Sequence, residues 1–200
     1  MIYNDILFGR IQSNDVKLDD IELCARLCVD PSFDKSSISH YIDEVLSASD
    51  MRYAILRIPV LIDGDTLDLS FEKVKSTSLS KVLRDCNQAI VFAVTLGNQV
   101  DRLISKYELT NKAAAFVVDA IASALTESLA DHVNEQLRAD NDLTNRFSPG
   151  YADLSLNIQA PLLNRLDSQR TVGISLNEKL LMIPRKSITA IVGIKSQKGL

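Results

Sequence analysis

Only two histidines, His40 and His132, and three cysteines, Cys24, Cys28 and Cys86, occur in the 200 residues. Without a Cys-x-x-Cys pair or a His/Cys cluster, zinc and iron–sulfur chemistry have no ligand set, and no metal site is expected. The histidines stand apart from any Ser/His/Asp ordering, so nucleophilic hydrolysis lacks its base. An odd number of cysteines in apolar patterns reads as reduced core thiols, with Cys24 and Cys28 on one helical face. Positive charge is scarce as well: 22 Lys and Arg against 26 Asp and Glu leave a net charge of −4, which disfavours nucleic acid as a partner. The basic concentrations are Arg185-Lys186 and the terminal Lys195 and Lys198, too few for a phosphate-backbone footprint. Long apolar runs are missing too. The run from Ala89 to Val94 is far too short to span a bilayer, so no membrane association is expected. The opening residues Met1 to Ile6 carry an early acid and no basic, then apolar, leader, which points to a cytoplasmic location. No Pro/Gly/Ser-rich linker divides the chain, so residues 1–200 read as one domain.

What is present is a mixture of periodicities. Asp19 and Asp20 precede a short helix with Ile21, Cys24, Leu27 and Cys28 inward, and Ser36 or Ser37 precedes a clearer amphipathic stripe of Ile38, Tyr41, Ile42, Val45 and Leu46. Tyr53 to Ile62, the turn Asp63-Gly64-Asp65 and the alternating Thr66 to Phe71 read as a hairpin. Ser78 to Asp85 looks helical, Gln88 to Thr95 reads as a strand buried on both faces, and helices follow over about 98–107 and 111–139. The longer helix has a core stripe of Val118, Ile121, Leu125, Leu129, Val133 and Leu137 and a polar side of Ser123, Glu127, Asp131 and Asn134. Beyond it, Leu156 to Leu166 suggests a helix that Pro161 would break or kink; Thr171 to Ile174 and Ser187 to Ile194 look like strands. Helices and strands without regular βαβ alternation indicate α+β: a helical part over about residues 1–50 and a mixed core over 51–200.

The most informative segment is Arg146-Phe147-Ser148-Pro149-Gly150-Tyr151. Pro presets one turn torsion and Gly supplies the positive φ that a type II turn needs next, so a fixed cation and a polar aromatic flank an exposed backbone. That suits a compact, charged, partly aromatic ligand. By itself, however, Arg146 reads more readily as a surface ion-pair partner and Glu127 by default as a solvated helix residue, while Tyr151 could simply cover its own loop.

Five segments in order carry a resemblance: Ala93 to Gly97, Ala124 to Glu127, Arg146 to Leu154, Gly173 to Leu176, and Met182-Ile183-Pro184-Arg185-Lys186-Ser187-Ile188-Thr189-Ala190. Together they resemble the activation, or reactivation, domain of cobalamin-dependent methionine synthase, over most of the chain and least before about residue 50. The resemblance implies an α+β fold, a helical body around a twisted antiparallel sheet, binding S-adenosylmethionine in a shallow groove. It also implies a repair role: the domain docks on a corrinoid-binding methyltransferase subunit whose cobalamin has been oxidised to cob(II)alamin, and offers it the sulfonium methyl while flavodoxin or a similar donor supplies an electron. By the family's motif, S-adenosylmethionine would meet Glu127, Arg146, Ser148, Gly150 and Tyr151, with Arg146 on its carboxylate. Tyr151, Arg185, Lys186 and Ser187 would face the corrinoid or its protein.

The sequence departs from the large enzymes in having Ser148 where a small apolar residue is usual and Ile191 and Val192 where aromatics are usual. It also has no corrinoid-binding Asp-x-His-x-x-Gly, so cobalamin would be held by a partner and the chain would act in trans as an accessory, with no catalytic residue of its own. The alternative is an interaction module that docks on a corrinoid protein without using S-adenosylmethionine. A self-contained methyltransferase is disfavoured by the missing glycine-rich strand–loop–helix, and ATP-driven reactivation by the missing Gly-x-x-x-x-Gly-Lys-[Ser/Thr].

Overall fold

The structure is a computed structural model describing residues 6–196. Residues 1–5, which carry most of the leader argument, and Lys198 lie outside the described residues. In chain order the elements are β1 (Leu7–Arg10), α1 (Asp20–Leu27), α2 (Ser39–Ala48), β2 (Arg52–Pro59), β3 (Leu61–Asp63), β4 (Thr66–Asp68), β5 (Lys73–Lys75), α3 (Thr77–Leu83), β6 (Cys86–Thr95), α4 (Asn98–Thr110), α5 (Lys112–Asp140), α6 (Gln159–Arg165), α7 (Ser168–Thr171), β7 (Ser175–Leu176), β8 (Met182–Ile183) and β9 (Ser187–Lys195).

The fold is organised by β6, whose residues from Ala89 to Thr95 are all buried. A strand with no solvent face needs cover on both sides. It lies in a fully antiparallel sheet of order β1-β2-β6-β9. Ile90, Phe92 and Val94 point into a core shared with α1, α2, α4 and α5. Ala89, Val91 and Ala93 point into a second core, filled from α3, α6 and β4. Helix α5 anchors the first core through Val118, Ile121, Leu125 and Leu129, all fully buried, while Ala122 and Ala124 let its neighbours approach closely. It is the one helix among the described residues long and apolar enough to cross a membrane, and most of that apolar stretch is buried within the fold.

Several elements differ from their sequence expectation for identifiable reasons. Asp19 does cap α1, accepting from the Ile21 and Glu22 amides, but the inner face is Leu23, Cys24 and Leu27. Ile21 is exposed, and Cys28, in the left-handed conformation that ends the helix, is also exposed and is no core thiol. The Gly64 turn forms between β3 and β4, but these belong to a small separate sheet with β5. The long strand stops at Pro59, which has no N–H to extend the ladder, and pairs with β1 and β6 instead. Pro161 sits in the first turn of α6, where its missing N–H costs no helical bond, so the helix is not broken there. Thr171 to Ile174 is not a strand: Thr171 ends α7, Val172 and Ile174 are buried core plugs, and the strand begins at Ser175.

One close contact fixes how β9 sits on β6. A Cβ at Gly193 would lie 2.6 Å from Cys86 Sγ and 2.7 Å from Leu83 Cδ2. Gly193→Ala should therefore destabilise the protein by about 1–3 kcal/mol through overpacking. Chemical denaturation would show a lower midpoint at unchanged slope; a wild-type midpoint would contradict the packing.

Candidate functional site

The site lies where one edge of the sheet loses its cover. On the outer edge of β9, Ile191 exchanges both backbone hydrogen bonds with Phe147, at 2.8 and 2.9 Å. Further along, the Thr144 amide donates to the Gly193 carbonyl and the Lys195 amide to the Asp142 carbonyl. Strand alternation therefore turns the backbone groups of Thr189 and Ser187 outward too. After Phe147 the chain swings away, and these groups face a cavity of about 860 Å³ between the polar side of α5, the Arg146–Tyr151 loop, the start of α6 and the segment leading into β9. That volume falls within the range of small-molecule sites, roughly 300–1,000 Å³.

The loop holds its shape through its own residues. The Tyr151 amide donates to the Ser148 carbonyl at 3.1 Å, and Gly150 has φ +83°, which completes a turn of the type Pro149 and Gly150 favour. The rings of Tyr151 and Phe147 meet edge to face at 5.4 Å. Asp153 then pins the loop to α3, accepting from Ser76 Oγ at 2.6 Å and the Thr77 amide at 2.7 Å. The Ser76 hydroxyl, then Ser78 and the α3 amides, hold the Asp153 carboxyl at about 2, well below its ordinary 3.8.

One end of the cavity is charged. Arg146 Nη2 donates to Asp131 Oδ1 at 2.9 Å and Glu127 Oε2 at 3.2 Å, both one helical turn apart on α5. Arg26 approaches Glu127 at 3.7 Å and pairs with Glu22 at 2.7 Å, so the network joins two guanidinium groups to three carboxylates. Arg138 is committed to the Leu143 and Thr144 carbonyls, and Arg185 lies near Asp101 and Glu108 on α4.

Glu127, Arg146, Ser148, Tyr151, Arg185 and Ser187 all line this one cavity. Gly150 and Lys186 do not. Gly150 shapes the turn, its amide bonded to the Leu154 carbonyl at 3.0 Å. Lys186 is 12% exposed and reaches back to α5, donating to Ser123 Oγ at 2.7 Å and pairing with Asp119 at 2.8 Å. Among the other lining residues, sequence reasoning did not single out Asn134, Gln159 and Thr189. Asn134 was visible only as part of a polar stripe. Thr189 fell inside the last of the five resembling segments without being singled out, and Gln159 gave no signal beyond being polar in a segment otherwise rich in apolar residues. Yet Asn134 Oδ1 and Gln159 Nε2 are buried with no hydrogen-bond partner among the described residues. Each such group costs about 1–3 kcal/mol if it stays unpaired.

An antiparallel sheet with helices on both faces and a charged groove at its open edge defines an α+β domain with a cavity of small-molecule size. Residues 76–198 match the family described as Vitamin B12 dependent methionine synthase, activation domain, and the chain belongs to that family. The crystal structure of the MetH reactivation domain bound to AdoHcy has the same fold, with a TM-score of 0.71 and 14% identity over 100% of this chain and 81% of that one. No curated protein matches the sequence.

The Asp153 clamp has a pH signature. Because its folded value is depressed, its stabilisation is present above about 3.8 and is lost as pH falls through about 2. Asp153→Asn should melt below wild type at pH 6, with the gap narrowing from about pH 4 downward and closing near pH 2. A gap that ignores pH would refute the clamp. Lys186→Met should cost about 1 kcal/mol through loss of the hydrogen bond to Ser123 and of the pair with the half-exposed Asp119, whereas the half-exposed Arg185→Ala should stay within about 0.5 kcal/mol. Denaturant titration of the two variants checks the contrast.

Proposed function

We propose that the groove binds S-adenosylmethionine and presents it to a corrinoid held by a partner methyltransferase module, to reactivate the cob(II)alamin form. The carrying observation is the Arg146–Glu127–Asp131 network at one end of the cavity, in a chain of the activation-domain family. The AdoHcy bound to the MetH reactivation domain supports the same ligand class. S-adenosylmethionine held here would supply a methyl group as a cation equivalent and be left as S-adenosylhomocysteine, with the one electron that cob(II)alamin needs coming from an external donor such as flavodoxin.

The chain's own residues bind and orient. Arg146 offers its guanidinium to the ligand carboxylate, and Glu127 or Asp131 then turns to the ammonium, exchanging one ion pair for another at little net cost. The network's one excess negative charge complements the net positive charge of a sulfonium amino acid. Ser148 and the Gly150 turn bring backbone close to the ligand. Tyr151, 66% exposed, stands at the mouth with Leu181 and Leu156, also exposed, as an apolar rim for the partner to cover. Arg185 is exposed enough to join that contact. Lys186 and Ser187 act as scaffold behind it, the Ser187 hydroxyl bonding to Thr95 and Pro184. The rim alone also suits a docking module that makes no use of the ligand.

Isothermal titration with S-adenosylmethionine separates these readings. Wild type should bind saturably, and Arg146→Ala should weaken binding at least about tenfold through loss of a charged hydrogen bond. Tyr151→Ala should bind the ligand almost as well but slow cob(II)alamin reactivation. Absence of binding by a folded wild-type protein would sink the cofactor reading and leave docking alone.

A further inference from the structure

The charged network accounts for one end of the cavity and leaves the two unpaired amides unexplained. Gln159, the first residue of α6, is 2% exposed; its Oε1 accepts from Thr189 Oγ1 at 3.1 Å, and in that orientation Nε2 is a buried donor without a partner among the described residues. Asn134, on α5, is 9% exposed, and its Oδ1 is a buried acceptor without a partner among the described residues. Both line the groove, from opposite covering layers of the sheet. Asn134 lies two helical turns beyond Glu127, about 10 Å along the helix axis from that carboxylate.

The chemistry of an occupant follows from this pair. A carboxylate satisfies only the donor and an ammonium only the acceptor. A heterocycle with an amine beside a ring nitrogen satisfies both, and so does a ribose hydroxyl. The Watson–Crick edge of a purine points away from its sugar, so it is the edge that meets wall residues lying beyond the ribose and amino-acid moieties.

We propose that Gln159 and Asn134 form the base-reading end of the groove, selecting a 6-aminopurine: Gln159 Nε2 donates to N1, and Asn134 Oδ1 accepts from the 6-amino group. This rests on the cofactor reading above. Thr189 is a positioning residue that holds the Gln159 amide in the donating orientation. A 6-oxopurine reverses both partners, offering N1–H to a donor and an oxygen to an acceptor, so it is rejected.

The test is calorimetric titration of the full chain with S-adenosylhomocysteine and with S-inosylhomocysteine. Wild type should prefer the adenosyl compound at least about tenfold. Gln159→Glu, which replaces the donor by an acceptor, should shrink or invert that preference. Gln159→Leu should bind the adenosyl compound about tenfold more weakly and the inosyl compound nearly as before, and its far-ultraviolet circular dichroism should match wild type. Equal affinity of wild type for both compounds would overturn the inference while leaving the cofactor reading intact. So would an unchanged preference in both variants, the result expected if the amides met ribose. A folded wild type that bound neither compound would remove the cofactor reading and this one with it.

Discussion

A strand with no polar face forces the rest of this architecture. From Ala89 to Thr95 β6 is buried on both sides, so the chain must build two covers: α1, α2, α4 and α5 over Ile90, Phe92 and Val94, and α3, α6 and β4 over Ala89, Val91 and Ala93. Two covers on one sheet meet at its edges, and each edge must either pair or face something polar. β9 pairs outward with residues 142–147 as far as Ile191 and then loses that partner. The groove is the wedge left between the two covers, with the backbone of Ser187 and Thr189 at its base and polar residues of α5 and α6 on its walls.

Placing a charged network at this wedge is coherent with its surroundings. Glu127 and Asp131 project from α5 on the side away from the buried Leu125 and Leu129, and Arg146 belongs to the segment that seals β9, so pairing of the edge brings the guanidinium to the carboxylates. The same segment continues into the Pro149-Gly150 turn, which Asp153 ties to α3. The loop is thus fixed at both ends by backbone ladder and carboxylate clamp, the preorganisation a shallow groove needs to hold a flexible ligand.

Much of this was legible in the sequence because it depends on short-range pattern. The period of α5, the unbroken apolar run of β6, the alternation of β9 and the Pro-Gly turn each carry their own local signal. What was lost depends on tertiary context. Thr171, Val172 and Ile174 have strand-like side chains but plug a core from a helical turn and a bend. Ile21 and Cys28 look inward by spacing alone, yet they fall on the outer side and at the left-handed end of α1. The charged half of the candidate site was visible as Arg146 and Glu127. The amide half was not, because the significance of Gln159 and Asn134 lies in being buried without partners among the described residues, a property no spacing reveals.

The central claim, that the uncovered edge of β9 is where the ligand sits, is tested most directly by backbone amide NMR of the full chain as S-adenosylhomocysteine is added. With the ligand seated there, the largest shifts fall on Ser187, Thr189 and the amides from Ser148 to Tyr151, while the α4 amides from Leu103 to Glu108 stay in place. Saturable binding whose shifts cluster away from β9 and that loop would contradict it.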